Sequence, residues 1–408
     1  VAAGARSSAH MSVGHDRPVP DEPSPENLPR DADPASQPVS GADAVPADGP
    51  FVVPGEPRPP VSARSVTTTV SLLLSAILFA VLLVVPTGYA VSSPGPTRDV
   101  LGEVDGKPLI SISGAKTYDS TGQLHLVTVS ATGGPGYPST VMRVLSGWAS
   151  RWSVAQPREV LFPPEQTREQ VDTANQQEMV SSQENASVAA LTELGYEVPA
   201  TLTVAGTVPK SGAAGVVEKG DVIVAIDGVK VPDYETLLDE LAKITAGDTI
   251  TLTVKRDGQT KDLSVVTGTA DDGSAVIGVF IDPTFDMPVD IDISIDGIGG
   301  PSAGTMFALG IIDKMTPEDE ANGVVIAGTG TMDITGDVGA IGGIRQKLEG
   351  ARRDGATWFL APASNCNEVV GHVPDGLHVA SVSTLHEARE AMTAIGAGKG
   401  ASLPTCTS

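Results

Sequence analysis

Residues 289–304 run Val289-Asp290-Ile291-Asp292-Ile293-Ser294-Ile295-Asp296-Gly297-Ile298-Gly299-Gly300-Pro301-Ser302-Ala303-Gly304. Strict apolar–polar alternation from Val289 to Asp296 predicts a half-buried strand, because side chains of a strand alternate between its two faces. The glycines and Pro301 then force a tight turn. After Ser302, the residues Met306, Leu309, Gly310 and Asp313 suit a helix, with Phe307, Ile311 and Ile312 adding packing surface. Ser302 is thereby placed at a strand-to-helix junction, flanked by Gly300 and Ala303, where small neighbours leave its hydroxyl open. Free N–H groups at such a helix start suit a developing oxyanion. Serine is also a common helix N-cap, so the turn alone does not identify a nucleophile.

A second segment lies downstream. Asn322 to Gly330 reads as a buried strand and turn, and Asp333 to Gly343 as a glycine-rich connection to a helix opening near Ile344. Lys347 falls in the first turn of that helix, with Leu348 and Ala351 on its side. There the positive end of the backbone dipole disfavours an ammonium, and burial lowers the pKa further, as a lysine general base requires. A lysine on a helix is more often a solvated one.

Together the two segments resemble the proteolytic domain of Lon proteases, and within that family the PDZ-bearing, membrane-anchored YlbL-like branch that has no ATPase. Pro301-Ser302-Ala303-Gly304 matches the nucleophile motif, and Gly342-Gly343 followed by Lys347 matches the lysine motif, 45 residues after Ser302. The resemblance implies a Ser302–Lys347 dyad, Thr329 as the residue that orients the lysine, and Gly300 and Ala303 as supporting positions. Arg345 stands where the family often has another basic residue and is not the base. Gly299-Gly300 departs from the Lys-Asp of full Lon enzymes. The resemblance covers about residues 275–395, and the helical pattern at 179–195 extends it to 98–195, which would make the intervening unit an insertion.

That intervening unit reads as short strands around one helix. Val222, Val224 and Ile226 alternate; Leu237, Leu238, Leu241 and Ile244 share a helical face; Ile250, Leu252 and Val254 lead into an Asp257-Gly258 hairpin. Ser211-Gly212-Ala213-Ala214-Gly215 followed by Lys219-Gly220-Asp221-Val222-Ile223-Val224-Ala225-Ile226-Asp227-Gly228 is similar to a bacterial protease-associated PDZ domain. Such a domain implies capture of a peptide as an added strand, or service as a spacer. No Gly-Leu-Gly-Phe signature is found in the expected place, and Gly195-Tyr196-Glu197-Val198 stands where a binding loop would lie.

The expected fold class is α+β: a Lon-like proteolytic domain of mixed sheets with helices, plus a small β-rich PDZ-like domain, preceded by one transmembrane helix and a disordered tail. The expected units are a tail at 1–64, a transmembrane helix at 65–91, an extracytoplasmic segment at 92–195, the PDZ-like domain at 196–270 and the proteolytic domain at 275–400. The tail is rich in Pro, Asp, Glu, Ala and Ser without apolar periodicity. No charged side chain occurs from Ser65 to Thr97, and the apolar run Val66–Val85 is long enough, at about 1.5 Å per residue, to cross a bilayer core of about 30 Å. A cleaved signal peptide ending at Gly88-Tyr89-Ala90 is the alternative, and the long preceding segment favours an uncleaved anchor. Arg58 and Arg64 precede the span, favouring a cytoplasmic N-terminus and an extracytoplasmic catalytic part. Cys366 and Cys406 suit either a disulfide there or two free thiols.

A net charge of −24 argues against nucleic acid as a partner. The implied partners are protein or peptide substrates that are unfolded or membrane-associated, with a homo-oligomer left open. No cofactor or metal motif is present: Gly114-Ala115-Lys116-Thr117 lacks the earlier glycine of a phosphate loop, and there is no His-Glu-x-x-His run. Two other functions compete. Gly300-Pro301-Ser302-Ala303-Gly304 also fits the Gly-x-Ser-x-Gly elbow of a Ser-His-Asp esterase, with Asp337 or Asp354 and His372, His378 or His386 as partners. The other is an inactive PDZ membrane adaptor on a dead peptidase fold.

Overall fold

The computed structural model describes residues 62–163, 166–270 and 273–407. The expected tail at 1–64 therefore lies almost wholly outside the described residues. The fold is α+β, with mixed helix and strand content, a PDZ unit and one apolar helix at the N-terminal end of the described chain.

That helix, Ala63–Val84, has no buried residue and is long and apolar enough to cross a membrane. It stops short of the expected 65–91, because Pro86 cannot extend the helical hydrogen bonding and instead bridges Thr140, after which a strand begins at Tyr89.

A six-stranded sheet organises the body. Its central strand, Gln123–Thr132, pairs antiparallel with Tyr89–Asp99 on one edge and parallel with Val325–Gly328 on the other. Trp358–Pro362 and His378–Val382 continue the parallel side, and Val154–Pro157 closes the antiparallel side. Three strands from before the PDZ unit and three from after it therefore join side by side in one sheet, meeting where Gln123–Thr132 pairs with Val325–Gly328.

Helices cover both faces. Gly304–Met315 is buried nearly all round, with Met306, Phe307, Leu309, Ile311 and Ile312 fully enclosed, as an apolar helix in a core must be. It packs against the long helix Arg168–Glu193 on one side of the sheet. On the other side Ile344–Arg353 presses Ile344, Leu348 and Ala351 onto Val127, Ala327 and Phe359. Cys366 and Cys406 form a disulfide that fastens the C-terminal segment to this layer.

Two elements differ from the sequence expectation. The helix expected at 179–195 begins eleven residues earlier, at Arg168. Its first half is polar all round and carries no periodicity, but a capping box formed by Thr167 and Gln170 starts it. Conversely, the strand expected over 289–296 is only Asp290–Ile293, because its antiparallel partner, Ile110–Ser113, is itself four residues long.

The PDZ sheet runs, edge to edge, Gln259–Val266, Thr249–Arg256, Val222–Ile226, Ala200–Thr207 and Val279–Phe285, around the helix Tyr234–Ala242. Asp257 and Gly258 both take positive φ, the hairpin turn expected from their sequence. Val279–Phe285 lies beyond the expected 196–270 boundary. Its residues alternate exposed and half-buried, and it pairs along its whole length with Ala200–Thr207.

Candidate active site

Ser302 immediately precedes the buried helix Gly304–Met315, in a turn held from the long helix by two bonds. The Gly300 N–H donates to the Asn175 carbonyl at 3.0 Å, and the Ser182 hydroxyl donates to the Pro301 carbonyl at 2.9 Å. Approach is so close at Gly299 that a Cβ there would stand 2.7 Å from that of Asn175. Gly300 has φ +87°, a conformation that favours glycine. Sequence reasoning missed Asn175 and Ser182 as positioning groups: Asn175 lies in the polar first half of the helix, whose signal was its cap, and Ser182, inside the apolar pattern, carries no local mark of its bond to Pro301.

Lys347 enters from the opposite layer. Gly343, with φ +71°, ends the glycine-rich connection and starts the helix, and any Cβ there would meet Val129 at 2.7 Å. Lys347 is one turn in and 2 % exposed, whereas Arg345 beside it points to solvent. Its Nζ lies 2.7 Å from Ser302 Oγ and 2.8 Å from Thr329 Oγ1. Thr329 is fully buried and donates its own hydroxyl proton to the Ser302 carbonyl at 2.9 Å. With that proton committed, Thr329 Oγ1 can only accept from Lys347. This bond turns the remaining valence of a neutral amine toward Ser302.

Burial pushes the Lys347 amine down from the ordinary lysine range to about 7, and no carboxylate offsets it. Ser302 and Lys347 open onto a cleft of about 570 Å³ lined also by residues 126–131, Met179 and the 297–303 turn, with Thr329 buried behind them. Val325–Gly328 pairs with the central strand only as far as Leu126. Among the described residues, no strand pairs with that edge from Val127 onward, beside the cleft. The N–H groups of Ser302 and Ala303 likewise have no hydrogen-bond partner among the described residues. The Gly300 N–H, by contrast, is occupied by Asn175.

The histidines of the competing triad are engaged elsewhere. His372 contacts the Val370 carbonyl, His378 lies against Trp358, and His386 bonds Glu193. Asp354 is bound to Thr97 and Arg353.

With this geometry in place, similarity to known proteins adds the family. Residues 281–394 match the model of the Lon protease (S16) C-terminal proteolytic domain, and residues 181–267 that of the PDZ domain. The chain carries a Lon-type proteolytic domain and a PDZ domain. The archaeal Lon protease of Methanothermobacter thermautotrophicus is 32% identical over 119 residues, 28% of this chain and 18% of that protein. The Lon protease of Clostridioides difficile is 35% identical over 101 residues, 24% of this chain and 12% of the relative. Lon protease 2 of Bacillus subtilis is 33% identical over 107 residues, 24% and 18% of the two chains. The match thus spans less than a fifth of these relatives. A solution structure from Geobacillus thermodenitrificans is 28% identical, covering 20% of this chain and 94% of that one at a TM-score of 0.19.

Thr329→Val keeps the shape of the site and removes both bonds of Thr329, which makes it a test of whether Ser302 and Lys347 act as a peptidase dyad oriented by this threonine. Peptidase kcat is expected to fall about 10- to 100-fold with little change in KM, the loss of one or two hydrogen bonds made to the reacting pair. Equal kcat for T329V and wild type in steady-state kinetics would remove Thr329 from the mechanism.

Proposed function

We propose that this chain is a membrane-anchored serine endopeptidase that works without ATP. In this reading Ser302 is the nucleophile, Lys347 the general base and Thr329 the residue that positions it. The observation that carries the reading is the buried amine of Lys347, held 2.7 Å from the Ser302 hydroxyl with its pKa lowered to about 7. A charged lysine could only donate to that oxygen. A neutral one accepts its proton.

Chemistry then follows from the positions of the groups. Lys347 takes the Ser302 proton as Oγ bonds to the peptide carbonyl carbon, and the carbonyl oxygen becomes an oxyanion facing the free N–H groups of Ser302 and Ala303. As the C–N bond breaks, Lys347 returns the proton to the leaving amine. Water, deprotonated by Lys347, next attacks the acyl ester, and as the C–Oγ bond breaks Lys347 passes that proton to Ser302 Oγ, releasing the acid product. The unpaired strand edge from Val127 supports binding of an extended, unfolded segment as an added strand, which sets its carbonyl beside Ser302. We read the PDZ unit as a peptide-docking module whose outer strand, Val279–Phe285, has a free edge among the described residues. Phe280, 58% exposed, stands on it. The helix Ala63–Val84 is read as a single membrane anchor with its N-terminal end in the cytoplasm. An oxidising compartment for the rest agrees with the disulfide.

The test is cleavage of a permanently unfolded protein, such as reduced and alkylated lactalbumin, by the detergent-solubilised full chain across pH 5 to 9. Only the neutral amine acts as base, so kcat/KM is expected to rise with pH through a midpoint near 7 and to vanish in Ser302→Ala. Undiminished cleavage by S302A, or a rate independent of pH over that range, would refute the dyad.

A further inference from the structure

The apolar helix passes into the exported body within a few residues. Val84 ends it, and Pro86 already bridges Thr140. Thr87 donates its N–H and hydroxyl to the Ser139 carbonyl at 2.8 and 3.1 Å, and Arg158 donates its N–H to the Gly88 carbonyl at 2.9 Å. Two short helices, Val141–Ala149 and Arg158–Leu161, are thereby fastened to residues 86–88, just beyond the span. At no more than about 3.5 Å per residue, these attachment points lie within about 15 Å of its end.

The first of these helices is two-faced. Val144 and Gly147 are buried against the strand Tyr89–Asp99, so tightly that a Cβ on Gly147 would stand 2.9 Å from Val91. Leu145 and Trp148 project away, 44% and 60% exposed, with Tyr89 edge-on to the Trp148 ring at 5.8 Å. Val160 and Leu161 on the second helix are 66% and 39% exposed. Aromatic rings with an apolar body and a polar tip are the side chains that settle at the headgroup level of bilayers. Charge points the same way. Residues 137–162 hold Arg143, Arg151 and Arg158 against Glu159 alone, in a chain whose net charge is −24.

We infer that the exposed apolar side chains of the two short helices, Leu145, Trp148, Val160 and Leu161, lie in the headgroup layer of the bilayer that the anchor crosses, with the three arginines against anionic lipid. The inference rests on reading Ala63–Val84 as a membrane span. It goes beyond that reading, because a second attachment prevents the body from swivelling on its tether and holds the catalytic cleft at one height above the membrane. A second copy of the chain would cover the apolar residues equally well, but it would account neither for their fastening to residues 86–88 nor for the local excess of arginine.

The test uses the full chain in vesicles of phosphatidylcholine and phosphatidylglycerol containing lipid brominated near the headgroup. The difference in fluorescence between wild type and Trp148→Phe isolates Trp148, and bromolipid is expected to quench that component about twofold or more. Leu145→Ser combined with Val160→Ser should abolish the quenching while the protein still resists alkaline carbonate extraction. Carbonate-resistant protein whose Trp148 is not quenched overturns the inference and leaves the anchor standing. The same result with Trp148 also shielded from aqueous acrylamide assigns the face to a second copy and overturns it as well. Extraction by carbonate removes the anchor reading and this inference with it.

Discussion

Lys347→Met is expected to abolish peptide-bond cleavage, lowering kcat/KM by at least about 10³-fold, without unfolding the protein. General-base assistance is typically worth 10²–10⁴-fold, and a nucleophile and base acting as a unit lose nearly everything when either is removed. Methionine has nearly the same length and no charge, and it fills a site that is 2 % exposed. The effect on stability has a sign as well. A lysine whose folded pKa is depressed to about 7 binds its proton less readily when folded than when unfolded. Wild type therefore loses stability as pH falls from about 10.5 towards 7, and below 7 it carries the whole penalty of a buried ammonium. K347M escapes that penalty, so its Tm should equal or exceed that of wild type at pH 6. Lys347→Arg should be just as inactive, because a guanidinium does not give up its proton at these pH values. Thermal melts and initial rates on an unfolded substrate check both halves, and retained activity in K347M or K347R would contradict the account.

Asp221→Ala is expected to cost the PDZ unit about 3–5 kcal/mol. Asp221 is fully buried and receives Arg256 Nε and Nη2 at 2.6 Å each, together with the Glu218 N–H at 2.9 Å. Arg256 also donates to the Val216 carbonyl and pairs with Glu218. One carboxylate thus ties the turn before the strand Val222–Ile226 to the end of Thr249–Arg256. Removing it leaves the Glu218 N–H without a partner and the half-buried Arg256 guanidinium with only the Val216 carbonyl and Glu218. The Arg256 hydrogen bonds hold the Asp221 carboxyl below its ordinary value. This contribution is accordingly complete above the unfolded pKa near 4 and is lost as pH falls through the lower folded value. Amide exchange at Leu252 and Val254 should accelerate by about 10²-fold or more, while Ser302 keeps its reactivity if the peptidase body folds on its own contacts. A change below about 1 kcal/mol would mean that the pair contributes little.

Much of this arrangement was legible in the sequence, and the reasons are local. Helices with one apolar face, such as that carrying Leu348 and Ala351, and turns such as Asp257-Gly258 announce themselves, because the responsible contacts lie within a few residues. The Pro301–Gly304 turn and the Gly342-Gly343 start were equally visible, since each needs small residues for a close approach. Longer-range pairing was less so. Nothing near Val279 says that it pairs with Thr207, and the polar half of the helix from Arg168 shows only a cap. The role of that half emerges in three dimensions, where Asn175, together with Ser182 from the apolar half, holds the turn that carries Ser302. The order of strands in the main sheet was likewise hidden, because it is set by pairing across more than 190 residues between Gln123 and Val325.

The charge of the Lys347 amine beside the Ser302 hydroxyl can be read directly. In protein carrying lysine labelled with ¹³C at the ε-carbon, the Lys347 signal is assigned by its absence from K347M and followed by NMR through a pH titration. The account predicts a midpoint near 7 for that signal alone; a midpoint near 10, in the ordinary lysine range, would contradict it.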